Sequence, residues 1–166
     1  IPRRGELVLD VTLGRIPVQR QLDALSAVRF GRSTRADLKT LICDPSLSRR
    51  PKAVNVEFLQ TDLDEDKQKI VRQALGNLDV VVIHGPPGTG KTKVITEIVA
   101  QAIKIKPTAR VLLTSQTNVA LDNALERLRE LAPNLELVRL GRRDDPRISR
   151  TVIDLVLDNR SKAWVE

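Results

Sequence analysis

The sequence has very few aromatic residues. Its 166 residues include two phenylalanines, one tryptophan and no tyrosine, at Phe30, Phe58 and Trp164. A protein that binds single strands by stacking bases on aromatic rings needs several such side chains on one surface. This scarcity argues against a base-stacking platform.

Cysteine and methionine are also scarce. Cys43 is the only cysteine, which excludes an internal disulfide and a zinc site made of several thiolates. Such usage is typical of a reducing compartment, so we expect a cytoplasmic protein, or a nuclear one in a eukaryote. The chain starts at Ile1 and contains no methionine, and we therefore expect it to be a piece of a longer protein.

The sequence also lacks long apolar runs and an excess of acidic residues. No apolar run approaches the ~18 residues of a membrane-spanning helix, so we expect no membrane association. The 28 lysines and arginines exceed the 21 aspartates and glutamates, which gives a net charge of +7. This excess favours an acidic partner such as nucleic acid, although a bound nucleotide would account for part of it.

The most informative stretch is a glycine-rich loop at 85–92 with the pattern G-x-x-x-x-G-K-[ST]. An apolar, β-branched run at 80–83 predicts a buried strand before the loop, and apolar residues at helical spacing predict a helix over 94–103 after it. This order brings backbone N–H groups and the positive end of a helix onto an anion. The loop is therefore predicted to bind the phosphates of a nucleotide, through Gly85, Pro86, Pro87, Gly88, Thr89, Gly90, Lys91 and Thr92.

Two residues of the loop have specific predicted roles. Lys91 is predicted to neutralise the β- and γ-phosphates, and the Thr92 hydroxyl to ligate Mg²⁺. Both are the predicted catalytic residues. The glycines would let the backbone adopt angles that a Cβ forbids and approach the phosphates closely.

From residue 80 onward, predicted strands alternate with predicted helices. This order is typical of parallel βαβ units, and it predicts an α/β fold of the P-loop NTPase class, a parallel sheet with flanking helices. Ligands of such sheets bind beyond the carboxyl ends of the strands, so the polar loops at 115–118 and 141–147 should lie on the same edge as the phosphates. The predicted strands are 80–83, 109–114 and 135–140, and the helices that follow them are 94–103, 119–131 and 148–163.

The first part of the chain carries no catalytic motif. We divide the chain into a segment 1–62, with one N-terminal strand and a mainly helical remainder, and a segment 63–166, the N-terminal part of a nucleotide-binding domain. The predicted elements are a strand at 7–13, a helix at 17–30 that Pro17 opens and Gly31 ends, a helix at 37–44, an extended segment at 54–58 and a helix at 63–76 capped by Asp62 or Asp64 and closed by Gly76.

Three further stretches lie in fixed order around the glycine-rich loop: Gln68 upstream, residues 111–122 downstream, and residues 138–141 after the next predicted strand. Together with 85–92 they resemble the first RecA-like domain of superfamily 1 helicases, in the branch of the nonsense-mediated-decay helicase. Residues 85–92 are similar to motif I of that family, and 111–122 to motif Ia, which grips the nucleic-acid backbone. Gln68 is placed like the Q-motif glutamine that binds adenine.

The resemblance implies ATP and Mg²⁺ as cofactors and single-stranded DNA or RNA as the partner. It assigns adenine binding to Gln68, for which the chemistry alone would allow an exposed helix glutamine. The resemblance also implies contacts to the nucleic-acid strand from small polar residues and from one loop arginine. Thr117 or Asn118 could also cap the following helix, and a loop arginine of this type is more often solvated. These predicted nucleic-acid contacts are Ser115, Gln116, Thr117, Asn118 and Arg142.

The chain also departs from the helicase pattern. The only run that resembles a Walker B motif is 152–158, but Asp154 interrupts this apolar run and its apolar spacing fits a helix better, so we assign no Walker B acid. The second RecA-like domain is missing. We therefore expect the fragment to bind nucleotide without turnover, which an ATPase assay would test, and to self-associate through its truncated sheet. The alternatives are a P-loop nucleotide switch or small-molecule kinase, and a nucleic-acid-binding module with a vestigial P-loop.

Overall fold

A computed structural model describes residues 12–142 and 144–160. The described chain divides into two compact units on either side of the Arg49–Arg50 peptide. The boundary at 62/63 that we drew from the sequence remains a prediction. The helices are α1 (Thr12–Arg29), α2 (Leu38–Cys43), α3 (Glu65–Gly76), α4 (Lys91–Ile105) and α5 (Asn118–Leu131), with 3₁₀ helices at Pro45–Leu47 and Arg150–Leu155.

The first unit contains α1 and α2. Gly31 ends α1 as predicted: its φ is 65°, its N–H donates to Val28 O at 3.3 Å, and Arg32 N donates to Ala27 O at 2.8 Å. These two bonds form a Schellman motif, in which glycine adopts the left-handed conformation at low cost. The prediction that Pro17 opens this helix is wrong, because α1 begins at Thr12 and contains Pro17.

Two further predictions for the first unit concern the strand and the cysteine. Residues 12 and 13 of the predicted strand 7–13 are helical, and its other residues lie outside the described residues. A lone cysteine is usually buried as a small hydrophobic residue, so the sequence predicts burial of Cys43, but it is exposed at the end of α2.

In the second unit, the residues at the two ends of α3 explain where this helix begins and ends. The Asp64 side chain accepts a hydrogen bond from Lys67 N at 2.9 Å and so caps the helix. Gly76 is the last helical residue rather than a left-handed residue beyond it. Glycine is needed there because a Cβ would clash with Lys52 O. A backbone hydrogen bond of 2.9 Å, from Lys52 N to Gly76 O, joins the same two residues.

A buried carboxylate on α4 holds the segment before α3. Glu97 is fully buried, and it accepts hydrogen bonds from Leu59 N at 2.8 Å and Gln60 N at 3.1 Å. The Gln101 side chain donates to Glu97 at 2.9 Å and to Glu57 O at 2.6 Å. The segment 57–60 therefore contacts α4 through its backbone, and residues 54–58 form no strand in the structure.

The core of the second unit lies between α4, α5 and the C-terminal segment. The single helix predicted at 148–163 is not formed, although its apolar positions are buried: only residues 157–160 are α-helical, and 161–163 lie outside the described residues. A 3₁₀ helix ends at Leu155, because Arg139 N donates to Leu155 O at 2.7 Å and Leu157 N donates to Arg139 O at 3.1 Å. The core residues are Val99, Ala100, Leu125, Leu128, Leu137, Ile148, Val152, Leu155 and Val156.

The predicted sheet is not formed among the described residues. Its three strand segments have no ladder partners there, and the side chains of Val82 and Leu112 are 87% and 78% exposed. The one bridge in this part of the chain is parallel and joins Arg139 to Val156. The parallel sheet thus remains a prediction. Among the helices that the structure describes, none has the length and apolar character needed to cross a membrane.

Candidate nucleotide and nucleic-acid sites

The glycine-rich loop leads into α4 through two left-handed glycines. Gly88 has φ 81° and Gly90, which is the N-cap of α4, has φ 82°. A residue with a Cβ would be strained at either position. Gly90 has no side chain, and no side chain caps the first turn of α4. The N–H groups of this turn are therefore left for an anion.

The first two residues of α4 are Lys91 and Thr92, the predicted catalytic pair. The Lys91 ammonium donates to Gly85 O at 2.7 Å and to Pro86 O at 2.6 Å, so it lies across the loop. The Thr89 hydroxyl also donates to Pro86 O, at 2.9 Å. A Cβ on Gly85 would come within 2.9 Å of that hydroxyl, which explains the need for glycine at the first loop position.

Thr92 is exposed and lines a cleft of about 310 Å³ with residues of α5. Its neighbours there include Glu126 and Glu130, which supply the hard oxygen ligands that Mg²⁺ prefers. Within residues 12–142 and 144–160, however, no group of three acidic, histidine or cysteine side chains is arranged to hold a metal ion. The hydroxyl fits one ligand of Mg²⁺, and its role stays a prediction.

The start of α3 lies next to the glycine-rich loop, but Gln68 is not the residue nearest to it. The Gln68 side-chain amide donates to Leu63 O at 2.9 Å. The preceding residue, Lys67, has its Cε 3.1 Å from where a Cβ on Gly90 would lie. Lys67 also forms an ion pair with Asp64. The adenine role of Gln68 remains a prediction, and Lys67 is a cation at the loop that sequence reasoning missed.

The polar loop before α5 forms one wall of a second cleft. Thr117 is the N-cap, and its hydroxyl accepts a hydrogen bond from Ala120 N at 3.3 Å. Ser115 Oγ accepts a hydrogen bond from Thr117 N at 3.3 Å. The cleft measures about 640 Å³ and brings together the two polar loops that we expected on one edge; its lining is Gln116, Thr117, Asn118, Val119, Asp145, Pro146 and Arg147.

The predicted arginine of the second loop lies at the surface. Arg142 is 83% exposed and pairs with Asp144 at 2.9 Å, and it does not line the cleft. Arg147 does line it and pairs with Asp145 at 2.7 Å. The hydrogen bond from Arg147 lowers the pKa of the Asp145 carboxyl to about 2. The nucleic-acid role of Arg142 remains a prediction, and Arg147 is the arginine of this loop that lines the cleft.

A buried ion pair behind the second cleft was also missed. The side chains of Arg139 and Asp122 are 7% and 2% exposed, and they pair at 2.9 Å. The other Asp122 oxygen accepts a hydrogen bond from Ser149 N at 2.8 Å. The sequence did carry a signal: Arg139 is on the apolar face of the alternating run 135–140, where a charge requires a buried partner.

Comparison with known proteins places most of the second unit in one family. Residues 62–164, more than half of the chain, match the AAA domain family. The chain is 41% identical over 100 residues to an uncharacterized ATP-dependent helicase of Methanocaldococcus jannaschii, which covers 60% of this chain and 15% of that protein. Over 84 residues, or 51% of the chain, it is 39% identical to DNA polymerase alpha-associated DNA helicase A of Saccharomyces cerevisiae, of which it covers 12%.

A third relative is the DNA-binding protein SMUBP-2 of Rattus norvegicus, with 45% identity over 84 residues, 51% of this chain and 8% of that protein. The chain thus spans between 8% and 15% of the length of these curated relatives.

Proposed function

The chain belongs to the AAA domain family and to the superfamily 1 helicases of the nonsense-mediated-decay branch, and from this premise we propose that it is the part of an ATP-dependent helicase that binds ATP with Mg²⁺ and a single strand of DNA or RNA. The names of its relatives include both DNA and RNA helicases. In the intact enzyme, ATP binding and hydrolysis would open and close a second domain against this one. These movements would carry the enzyme along the nucleic-acid strand.

One observation carries the nucleotide half of the proposal. The left-handed N-cap Gly90 leaves the first turn of α4 without a side-chain cap and places Lys91 and Thr92 in that turn. Backbone N–H groups and the helix dipole would then bind the phosphates, with Lys91 moving from the loop carbonyls to the phosphate oxygens. Mg²⁺, with Thr92 as one ligand, would neutralise the charge of the β- and γ-phosphates.

The cleft at the start of α5 supports the nucleic-acid half. Gln116 and Asn118 are amide side chains, Arg147 is a cation, and all three line the cleft. Amide donors and arginines are among the groups that contact phosphates and sugars in nucleic-acid complexes. Ser115 and Thr117 then act through the turn and the cap that shape this wall.

Equilibrium binding of a fluorescent ATP analogue in the presence of Mg²⁺ tests the nucleotide site. Lys91→Ala should weaken binding about tenfold or more, because the ammonium is the cation closest to the phosphates. Lys104→Ala is the matched control, since Lys104 lies in the last turn of the same helix and is exposed. It should leave the affinity unchanged, and equal losses in both variants would contradict the assignment.

A labelled single-stranded oligonucleotide, titrated at two salt concentrations, separates the alternatives. Binding of the nucleotide without the oligonucleotide would favour a nucleotide switch or small-molecule kinase. Binding of the oligonucleotide without the nucleotide would favour a nucleic-acid-binding module with a vestigial P-loop. Binding of both, with an oligonucleotide affinity that falls as salt rises, supports the helicase fragment.

A further inference from the structure

We propose that Arg139 is a positioning residue for nucleic-acid binding, which acts by fixing the side-chain amide of Asn118. This inference rests on the proposed single-strand site at the start of α5. Arg139 does not line the cleft, whereas Asn118 does. One guanidinium nitrogen of Arg139 donates to Asn118 Oδ1 at 2.8 Å.

The chemistry of arginine decides which way this amide faces. A guanidinium carries five N–H donors and no acceptor, so the Asn118 atom that faces Arg139 has to be the oxygen. The NH₂ group is then turned away from Arg139. Among the described residues it has no acceptor, and it is not a buried unsatisfied group, so it is open to the cleft that Asn118 lines. An amide presented in this way offers two donors to a phosphate oxygen.

Arg139 can hold the amide because its own position is fixed on three other sides. Its Nε donates to Asp122 at 2.9 Å, a second nitrogen donates to Leu140 O at 2.6 Å, and its backbone pairs with the segment around Val156. With a side chain only 7% exposed, it has little rotamer freedom. The orientation of the amide is therefore set before a strand arrives, which lowers the entropy cost of binding.

The ion pair of Arg139 with Asp122 links the two walls of the cleft. Asp122 lies on α5, whose first residues form one wall, and it accepts a hydrogen bond from Ser149 N, which follows the wall at 145–147. Arg139 bonds directly to Asn118 on the first wall and to Asp122 of the same helix. It is linked to the second wall through Asp122, which accepts the hydrogen bond from Ser149 N. No other described arginine has bonds to both Asp122 and Asn118.

A double-mutant cycle on oligonucleotide affinity tests the proposal, with Asn118→Ala and Arg139→Lys measured alone and together. Lysine keeps a charge for Asp122 but lacks the planar fork that reaches Asn118 as well. Each single variant should weaken binding about fivefold to tenfold, and the double variant should be no weaker than the poorer single one, because both remove the same oriented donor. Arg129→Lys, which pairs with Asp154 at the surface, is the matched control and should leave affinity unchanged.

Affinity for the ATP analogue, measured on the same samples, reports whether the fold is intact. Retained nucleotide binding with non-additive losses of oligonucleotide binding supports the proposal. Losses that multiply in the double variant, or an Arg139→Lys variant with full oligonucleotide affinity, would overturn it. If Asn118→Ala has no effect, the proposed strand site at this loop fails instead, and the role of Arg139 fails with it. If Arg139→Lys abolishes nucleotide binding as well, the residue is structural and the proposal is wrong.

Discussion

The starts of α4 and α5 are both candidate phosphate contacts, yet they are built in opposite ways. The first turn of α4 has no side-chain cap and begins after the left-handed Gly90. The first turn of α5 is capped by Thr117, which has extended backbone angles. Asp122 of α5 forms a buried ion pair with Arg139. The uncapped start of α4 leaves all of its backbone donors to a ligand, whereas at α5 the cap takes up Ala120 N, so that side chains would supply more of the binding.

This difference predicts where each site is vulnerable. At α4 the proposed recognition would come from backbone conformation, so the glycines would matter more than any packed side chain around them. At α5 it would come from side chains such as Asn118, which accepts a hydrogen bond from the buried Arg139. Substitutions of backbone conformation should therefore act on nucleotide binding, and substitutions in the buried network should act on strand binding.

The largest expected effect comes from breaking the buried pair. Asp122→Ala would leave the Arg139 charge buried without its partner, and the loss of one member of such a pair costs about 3–5 kcal/mol of unfolding free energy. Chemical denaturation would measure this loss. At the same time oligonucleotide affinity should fall further than nucleotide affinity, since Asp122 bonds to Arg139 and to Ser149 N at the α5 cleft and not to the glycine-rich loop.

The surface ion pair of Arg129 with Asp154 provides the control. It also links α5 to the C-terminal segment, but its side chains are 40% and 62% exposed. Asp154→Ala should cost at most about 1 kcal/mol, because solvent screens exposed pairs. Similar losses for the two variants would mean that burial does not distinguish them, and the proposed contrast between the two helix starts would lose its support.

The two regions also differ in how far the sequence predicted them. The glycine-rich loop and the helix after it follow from local rules, since residues 85–92 fix the conformation of their own backbone. For the same reason the caps Asp64 and Thr117 were each one of two candidates that the sequence offered. The family and the phosphate loop were therefore within reach of the sequence, and the AAA domain match confirms that family.

What the sequence did not predict depends on contacts between distant segments. The helix expected at 148–163 failed because Arg139 pairs with the chain around Val156, which no local pattern encodes. That Arg147 lines the cleft and Arg142 does not depends on the turn at 145–147, which no local pattern encodes. The roles of Glu97 and Asp122 depend likewise on backbone N–H groups that come from other segments.

A smaller effect is expected from a change of backbone conformation at α4. Gly90→Ala forces a Cβ into a backbone with φ 82°, at a cost of roughly 1–2 kcal/mol. We expect this strain to shift the N-cap and to weaken binding of the ATP analogue about tenfold, while oligonucleotide affinity is retained. Isothermal titration of both ligands would measure the two affinities on one sample.

Gly31→Ala is a matched control for this substitution. Gly31 has φ 65°, and no atom lies within 4 Å of where its Cβ would be, so the variant incurs similar strain in the other unit. Its stability should fall while nucleotide affinity stays the same. If both alanine variants bind nucleotide equally well, the left-handed N-cap is not what makes the start of α4 a phosphate site.

The smallest effect concerns pH and should be confined to the α5 cleft. The hydrogen bond from Arg147 lowers the pKa of Asp145 from 3.8 to about 2. A carboxyl whose folded pKa is below its unfolded value stabilises the fold above the unfolded pKa, and that contribution is lost as the pH falls through the folded pKa. The pair should thus persist at pH 3 and break near pH 2. At α4, by contrast, Lys91 bonds to neutral carbonyls that do not titrate.

Carboxyl-detected NMR should place the Asp145 midpoint near 2 and move it up toward 3.8 in Arg147→Ala. Arg142→Ala, which removes the partner of Asp144, should leave the Asp145 midpoint nearly unchanged. A midpoint near 3.8 in the unaltered chain would mean that Arg147 does not pair with Asp145, and the guanidinium would then be available to contact a nucleic-acid strand.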